Sequence, residues 1–304
     1  MDEKKVAILI STYNGEKYIE EQLNSILNQS YKNIEIYVRD DGSKDNTTNI
    51  LKKYEAEGKI KLKLGDNIGF SKSFLELLSY PEDASYYAFC DQDDVWMKEK
   101  IERAVLNIEK KDQKKPILYA SNYLCYNSKM EYLRDSGYKK NKKTAFYKSI
   151  IECIAPGMTM CINDVAKEIL IKYYPKNIFF HDWWVCLICS GLGEVIYDSK
   201  PSVKYRIHDS NVTVSKQGLI KDLKVKISRY LGNEFYKKIK KQCMDFYKIY
   251  GDKLQERDRK VLELYTNKKY SLKNQIIKTF YPKRYKDNLK DEIFIRCMFV
   301  LGKL

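Results

Sequence analysis

Three carboxylates, Asp91, Asp93 and Asp94, lie within four consecutive residues. They follow an apolar, aromatic run from Tyr86 to Cys90 that is typical of a buried strand. Ionised carboxylates this close repel one another, and a divalent cation is the commonest reason for such a cluster. Hard oxygen ligands at the end of a strand suit Mg²⁺ or Mn²⁺, and either ion can also hold a diphosphate. A second interpretation stays open, because Asp is also favoured at the start of a helix.

The segment His181-Asp182-Trp183-Trp184 is a second candidate for chemistry. A carboxylate beside two indole rings is partly desolvated, which raises its basicity and makes Asp182 a candidate general base. An equally good interpretation is that Asp182 caps the helix that follows it. Trp183 and Trp184 are either core residues or surfaces on which a ligand stacks.

Arg206 and His208 follow the last predicted strand, and the chain has only two histidines. The guanidinium of Arg206 is suited to bidentate phosphate binding, and His208 is suited to ligating a metal or contacting phosphate. The alternative is a loop pair that bonds local carbonyl groups.

The hydrophobic pattern predicts the scaffold that brings these residues together. Apolar runs of strand length alternate with amphipathic helical segments from residue 6 to residue 121. This alternation predicts an α/β fold of right-handed βαβ units, with a mostly parallel central sheet and helices on both faces. Ligands bind such sheets beyond the carboxyl ends of the strands. Polar residues follow four predicted strands there: Thr12 to Asn14, Asp40 and Asp41, Asn67 and Gly69, and Asp91 to Asp94.

Two of these residues have simpler interpretations. Asn67 and Gly69 are also ordinary turn residues. Asn14 is also expected to cap the first helix, which carries Ile19, Leu23, Ile26 and Leu27 on one face.

The net charge of +15 is concentrated in the last third of the chain. Residues 215–304 hold 24 Lys and Arg against 10 Asp and Glu, a balance of +14, which leaves +1 for residues 1–214. We therefore predict a neutral α/β domain over 1–214 and a basic, amphipathic α-helical region over 215–304. Such a basic region is suited to contact with a negative surface.

Several protein classes are excluded by motifs that the sequence lacks. There is no signal-peptide pattern and no apolar window of the ~18 residues that span a membrane, so we expect a cytoplasmic protein. There is no G-x-x-x-x-G-K-[ST] phosphate loop, no G-x-G-x-x-G after the first strand and no G-x-S-x-G nucleophile elbow. What remains is a metal that holds and activates a phosphate-bearing leaving group.

Six segments together resemble the family-2 inverting glycosyltransferases of GT-A fold, over about residues 4–212. They are Ile8 to Asn14, Val38 to Ser43, Asn67 to Gly69, Asp91 to Trp96, His181 to Trp183 and Tyr205 to His208. The Asp-Gln-Asp-Asp-x-Trp form is most similar to bacterial rhamnosyltransferases that build capsule, O-antigen or cell-wall polysaccharide.

The resemblance implies a nucleotide-sugar donor, a dTDP- or UDP-sugar, bound with Mn²⁺ or Mg²⁺. Asp91 and Asp93 match the D-x-D motif that contacts ribose and the metal-bound diphosphate, and His208 would lie by the metal or diphosphate. Asp94 is an added carboxylate without an assigned role. The implied donor-binding residues are Thr12, Tyr13 and Asn14 around base and ribose, Asp40 or Asp41 on the nucleobase, and Asn67, Gly69, Gln92 and Arg206.

Asp182 matches the catalytic base of the family, which deprotonates the acceptor hydroxyl for a single inverting displacement. His181 stands where many members have Glu, so the surroundings of the base differ from the common pattern. His181, Trp183 and Trp184 are candidates for the acceptor side. The acceptor would be a saccharide or a polyprenyl-linked sugar, and a lipid-linked acceptor would explain a basic tail on the inner leaflet of a membrane. Solvated helices packed on the core explain the tail equally well.

Two other functions compete with this interpretation. A sugar-nucleotide pyrophosphorylase shares the sheet and the metal-binding Asp, but it needs a glycine-rich, basic loop after the first strand, and Thr12 to Glu16 is not one. A nucleic-acid-binding protein is suggested by the pI of 9.2 and the aromatic, basic tail. It leaves the acidic clusters of the first two thirds unexplained, so no nucleic-acid partner is expected.

Overall fold

The computed structural model describes residues 4–137, 142, 144–173, 175, 178–209, 211, 234–267 and 271–302. The predicted change of region near residue 215, and the amphipathic positions predicted between Ile220 and Leu231, lie outside these residues. None of the helices in the described part of the chain has the length and hydrophobicity of a membrane span.

The centre of the molecule is a sheet in the order β3-β2-β1-β4-β8-β6-β9-β5, and β7 pairs with the C-terminal half of β6. The strands are β1 (Val6–Thr12), β2 (Ile34–Asp40), β3 (Lys61–Leu64), β4 (Tyr86–Cys90), β5 (Val95–Trp96), β6 (Ile117–Asn127), β7 (Tyr132–Asp135), β8 (Cys161–Asn163) and β9 (Glu194–Ile207).

The strands β1 to β4 pair in parallel, as the alternating pattern predicts. β6 and β9 also pair in parallel, from Ile117 and Glu194 to Asn127 and Ile207, so the predicted α/β fold with a mostly parallel central sheet is confirmed.

The shorter pairings are antiparallel. β8 runs antiparallel to both β4 and β6, and β5 runs antiparallel to β9, so the whole sheet is mixed. β8 is a short strand between β4 and β6, and it pairs with Leu118 and Tyr119 near the beginning of β6. The two short strands predicted at 194–197 and 202–205 form the single strand β9.

Helices cover both faces of the sheet, as predicted. They are α1 (Ile19–Leu27), α2 (Thr47–Ala56), α3 (Phe70–Leu77), α4 (Lys100–Ile108), α5 (Phe146–Ser149), α6 (Asp164–Lys172), α7 (His181–Leu192), α8 (Glu234–Tyr250), α9 (Glu256–Thr266), α10 (Leu272–Thr279) and α11 (Leu289–Val300). Side chains alternate along β1, so Val6, Ile8 and Ile10 pack with α1, α2 and α4 on one face. Ala7 and Leu9 belong to the core on the opposite face, with α3 and α7.

The basic helices α8 to α11 share that second core. The ring of Trp184 on α7 packs against Phe246 on α8, with 5.7 Å between ring centroids. Two ion pairs join the turn before α11 to the segment around α5, namely Lys148 with Asp287 and Lys286 with Glu152. The described part of the C-terminal region is therefore packed on the α/β domain over a continuous hydrophobic core.

Candidate active site

A cleft of about 410 Å³ lies at the carboxyl ends of β1, β2 and β4, where the sequence predicts a site. Ten of the predicted site residues line it: Thr12, Tyr13, Asp41, Asn67, Gly69, Asp91, Gln92, Asp93, His181 and Asp182. The other lining residues are Ser11, Phe70, Phe74, Gly157, Phe180, Tyr205 and Asn211. Asn14, Asp40, Trp183, Trp184, Arg206 and His208 do not line the cleft, although the sequence places them in the site.

The acidic motif divides its three carboxylates between two environments. Asp91 and Asp93 line the cleft, whereas Asp94 is fully buried beneath it. Burial, reinforced by the negative charges of Asp93 and Asp182, raises the pKa of Asp91 to about 7. Burial and the negative charges of Asp93 and Asp91 raise the pKa of Asp94 well above its usual value. The motif is thus an arrangement in which added positive charge would be strongly favoured.

Asp93 and His208 meet at the edge of the cleft. The Asp93 Oδ2 and His208 Nε2 atoms are 2.8 Å apart. The imidazole lies against the ring of Tyr18, and the backbone N–H of His208 donates to Asn211 Oδ1 at 2.6 Å. One carboxylate and one imidazole are therefore held in position to share a cation.

The donor set fits a cation that is bound together with a phosphate ligand. Among the described residues, no group of three or more His, Cys, Asp or Glu side chains is arranged around one point. A cation that bridges a diphosphate needs only one or two protein ligands, because phosphate oxygens and water complete its shell. Asp93 and His208, with Asp91 beside them, supply that number. Imidazole as one ligand favours Mn²⁺ over Mg²⁺.

The predicted phosphate contact of Arg206 is not supported by its surroundings. The guanidinium is buried, its Nε donates to the carbonyl oxygen of Asp93 at 2.8 Å, and its Nη1 donates to that of Ser128 at 3.0 Å. Its Nη2 pairs with Glu21. All three nitrogens are used inside the protein, so Arg206 fixes the backbone of the acidic motif rather than a ligand.

Of the two carboxylates at the end of β2, Asp40 is bonded inside the turn and Asp41 lines the cleft. Thr12 Oγ1 donates to Asp40 Oδ2 at 2.8 Å and the backbone N–H of Ser43 donates to Asp40 Oδ1 at 2.8 Å, so buried Asp40 shapes the turn. Asp41 reaches the cleft and accepts the backbone N–H groups of Ile68 and Gly69, each at 2.9 Å. Of the two carboxylates, Asp41 is the one that lines the cleft, but it is 2% exposed and also pairs with buried Arg39, so its oxygens are already used inside the protein.

Asn14 and Gln92 hold the loop after β1. Asn14 does not cap α1, which begins at Ile19; its Oδ1 accepts the backbone N–H of Lys44 at 2.8 Å instead. Gln92 clasps the backbone of Tyr13, because its Oε1 accepts the Tyr13 N–H at 2.9 Å and its Nε2 donates to the Tyr13 carbonyl at 3.0 Å. These contacts leave the Tyr13 ring exposed at the mouth of the cleft.

Asp182 lies in the first turn of α7 and faces the cleft. Burial raises its pKa to about 6, while the N–H of Trp183, which donates to Asp182 Oδ1 at 2.7 Å, acts in the opposite direction. A carboxylate with this pKa is mostly ionised at neutral pH and is a better base than an ordinary Asp.

His181 is 4% exposed and stacks on Phe74, with 4.3 Å between ring centroids. Neither ring nitrogen has a hydrogen-bond partner, and burial lowers the pKa of the imidazole to about 3, so the ring is neutral. A buried ring with two unpartnered nitrogens beside Asp182 is suited to a substrate hydroxyl.

Trp183 and Trp184 do not reach a ligand and are corrected to core residues. Trp184 is fully buried against Phe246, and the indole N–H of Trp183 donates to the carbonyl oxygen of Ser149 at 2.5 Å. Successive residues on a helix point about 100° apart, so the two residues after Asp182 turn toward the core.

Sequence reasoning missed the aromatic wall and the glycine that face Asp182. Phe70 and Phe74 lie four residues apart on α3, directly after Gly69, and this helical spacing was the available signal. Gly157 leaves room for the site, because a Cβ there would be 3.2 Å from His181 Nε2 and 3.4 Å from Asp182 Cβ. Asn211 was visible only as a polar residue in the loop after β9.

Comparison with known proteins adds three findings. Residues 7–170 match the family described as Glycosyl transferase family 2. The dTDP-rhamnosyl transferase RfbG of Shigella flexneri is 31% identical over 222 residues, which cover 66% of this chain and 72% of that protein.

Among solved structures, Staphylococcus aureus TarS 1-349 superimposes with a TM-score of 0.59 at 19% identity, covering 98% of this chain and 79% of that one. Its complex with UDP-GlcNAc gives a TM-score of 0.60 at 19% identity, over 97% of this chain and 81% of that one. At this identity the likeness concerns the fold.

Proposed function

Because the chain belongs to glycosyl transferase family 2 and is a glycosyltransferase, we propose that it moves a deoxyhexose from a nucleotide-diphosphate donor to a saccharide acceptor with inversion at the anomeric carbon. The acceptor is a growing cell-surface polysaccharide or its polyprenyl-linked precursor. The proposal is carried by one observation: Asp182, with its raised pKa, lines the same cleft as the diphosphate-binding candidates Asp91 and Asp93.

Asp182 acts as the general base in this proposal. Its carboxylate takes the proton from an acceptor hydroxyl as that oxygen forms a bond to the anomeric carbon. The bond between the anomeric carbon and the diphosphate oxygen breaks at the same time, and the nucleoside diphosphate leaves with the electron pair. A single displacement inverts the anomeric configuration, and it requires base and leaving group on opposite sides of the sugar.

Asp93 and His208, with Asp91, would hold Mn²⁺, or Mg²⁺, at the diphosphate. Such a cation supplies charge neutralisation to the leaving group. The residues of the chain do the remaining work at this end: Arg206 fixes the backbone carbonyl of Asp93, and Gln92 fixes the loop of Tyr13 against which the nucleoside lies.

A 6-deoxy sugar fits the wall opposite the acidic motif. Phe70, Phe74 and Phe180 line the cleft next to His181, and the ring centroids of Phe70 and Phe180 are 5.7 Å apart. A methyl group on the sugar is suited to contact with such a surface, whereas a hydroxymethyl group would lose part of its hydration there. The similarity to the dTDP-rhamnosyl transferase of Shigella flexneri favours dTDP-rhamnose as the donor.

His181 is proposed to orient the acceptor. Its two ring nitrogens have no hydrogen-bond partner, and its neutral ring can both donate and accept a hydrogen bond. An acceptor hydroxyl bonded there would be held beside the Asp182 carboxylate.

The test is a thermal-shift panel of dTDP-, UDP- and GDP-sugars with Mn²⁺, followed by transfer from the stabilising donor to a saccharide acceptor. We expect dTDP-rhamnose to give the largest shift and the product to carry the inverted linkage. Absence of stabilisation by every sugar nucleotide would overturn the proposal, and stabilisation by a UDP-hexose alone would replace the donor. Release of diphosphate from a nucleoside triphosphate and a sugar phosphate would instead support the pyrophosphorylase, which the family match does not favour.

A further inference from the structure

We propose that the α10–α11 hairpin, residues 271–302, docks on the surface of a bilayer that contains anionic lipid. Eight large apolar side chains are exposed on it, and Phe280 at 76%, Leu272 at 64% and Ile293 at 56% are examples. The other five are Ile276, Ile277, Leu289, Val300 and Leu301. Apolar exposure concentrated on one short segment is typical of an interaction surface rather than of an ordinary solvated one.

The exposed apolar residues follow helical spacing on each of the two helices. On α10 and the residue that directly follows it, Leu272, Ile276 and Phe280 recur every four residues, and exposed Ile277 lies next to Ile276 in the chain. On α11 the corresponding stripe is Leu289, Ile293, exposed Cys297 and Val300. Four-residue spacing places side chains along one side of a helix. Each helix therefore carries one apolar stripe that the described part of the protein leaves uncovered.

The exposed charged side chains of the hairpin are all positive. Its exposed charged residues are Lys273, Lys283, Arg284 and Lys290, and none of the Asp or Glu residues between 271 and 302 is exposed. Two of the acidic side chains pair with cations inside the protein: Asp287 with Lys148 and Glu292 with Arg296. The outward charge is consequently positive, and apolar side chains between cations match the boundary of an anionic bilayer.

The hairpin is rigid enough to present this surface. The Arg296 guanidinium clasps the turn between the helices, donating from Nη2 to the carbonyl oxygens of Tyr281 at 3.0 Å and Lys283 at 3.2 Å. Beneath the surface, Ile295, Met298 and Phe299 are buried. The exposed side chains can therefore be changed without opening the core.

Two other occupants fit less well. A two-fold dimer would bring the same patch of both copies together, so the four cations of one copy would meet those of the other. Single-stranded RNA is bound by stacking on aromatic rings, and Phe280 is the one aromatic residue among the eight exposed apolar side chains.

The experiment is flotation of the full-length protein with phosphatidylcholine vesicles that contain phosphatidylglycerol, and with phosphatidylcholine vesicles alone. We expect the wild type to float with the anionic vesicles and to remain mostly free with the neutral ones. The apolar variant is Ile276→Ser/Phe280→Ser/Ile293→Ser, and its matched control is Leu106→Ser/Leu133→Ser, at residues that are 53% and 50% exposed elsewhere. The apolar variant should bind at least about ten-fold more weakly, and the control should bind like the wild type.

Charge reversal tests the second half of the proposal. Lys273→Glu/Arg284→Glu should weaken binding by at least about 25-fold, since each cation near an anionic surface contributes about five-fold. Lys52→Glu/Lys110→Glu is the control with the same change in net charge. Vesicle binding is measured without sugar transfer, so its result does not depend on whether the proposed reaction is correct.

Three results would overturn the proposal. The first is a wild type that fails to float with anionic vesicles, and the second is an apolar variant that floats as well as the wild type. The third is a dimer, seen by sedimentation, that the apolar variant dissolves, because that would make the surface an interface between copies. Equal melting temperatures of variants and wild type establish that binding, not folding, was changed.

Discussion

Asp94 accepts a hydrogen bond at 3.0 Å from the backbone N–H of Arg206, a residue 112 positions further along the chain. This contact ties the end of β9 to the acidic motif, and two residues later His208 meets Asp93. The carboxylate for which the sequence suggests no role therefore lies beneath the cleft and positions one candidate metal ligand against another. We expect its contribution to be structural.

Two substitutions of Asp94 distinguish the contribution of its hydrogen bond to stability from the contribution of its charge. Asp94→Asn keeps an acceptor for the Arg206 N–H and should remain close to the wild type in stability. Asp94→Ala leaves that buried donor unpaired and should lower the free energy of unfolding by about 1–3 kcal/mol. Urea denaturation measures both, and an Asn variant as unstable as the Ala variant would contradict the hydrogen-bond account.

Asp182→Asn should leave donor binding intact and lower the rate of transfer by about 10²–10⁴-fold, because the amide cannot accept the proton. Binding of the donor by calorimetry and transfer by product analysis separate the two effects. Asp164→Asn is the matched control: Asp164 also begins a helix and accepts the N–H of the next residue at 2.9 Å, but it is exposed and does not line the cleft. Normal transfer by Asp182→Asn would show that another group is the base.

The pKa of about 6 for Asp182 predicts a pH profile. The base acts in its ionised form, so kcat/KM should fall as pH drops below this pKa, by about ten-fold for each pH unit, and level off above it. Steady-state rates at saturating cation measure this limb. A profile that begins to fall only near the ordinary pKa of an exposed Asp would mean that the burial of Asp182 does not persist in the working enzyme.

Substitution of the candidate cation ligands should weaken binding of the nucleotide-sugar donor. Asp93→Ala should abolish the cation-dependent part of donor affinity, and His208→Ala should weaken it by about 10–100-fold. Chelation of the cation should reduce the wild type to the affinity of Asp93→Ala. Asp209→Ala, an exposed carboxylate next to His208, is the control and should retain wild-type affinity. Equal donor affinity with and without the chelator would rule out a cation at this site.

Gly15 and Gln92 provide a test of the loop after β1. A Cβ on Gly15 would lie 2.3 Å from Gln92 Oε1, so Gly15→Ala should displace the amide from the Tyr13 backbone and weaken nucleotide binding. Gln92→Ala removes the same clasp directly. In the double variant the clash is gone, and the affinity should equal that of Gln92→Ala alone. Additive losses in nucleotide titrations would mean that Gly15 acts in some other way.

The parts of the site that depend on local pattern were predictable from sequence. Polar residues after β1, β2 and β4 meet at one edge because parallel strands place their carboxyl ends together, and Thr12, Asp41, Asp91 and Asp93 line the cleft there. Contacts between distant segments could not be predicted in this way. Arg206 is a good phosphate ligand by residue type, and only the fold reveals that Asp93, Ser128 and Glu21 already occupy its nitrogens.

The fold shows the same division. The first four strands follow from their apolar periodicity. The antiparallel pairing of β8 with β4 and β6 joins segments that are distant in sequence, and periodicity carries no signal for it. The burial of Trp184 depends on Phe246, a residue that lies in the basic helical region and carries no local signal for the contact.

The continuous core between α7 and α8 shows that the change in net charge along the chain is not accompanied by a change in interior packing. Charge changes sharply toward the end of the chain, but the interior does not, since Trp184 and Phe246 belong to one hydrophobic cluster. The exterior of the last helices is therefore open to substitution while their inward side is constrained by the catalytic half. The outer charges of these helices can therefore be changed without disturbing the packing behind Asp182.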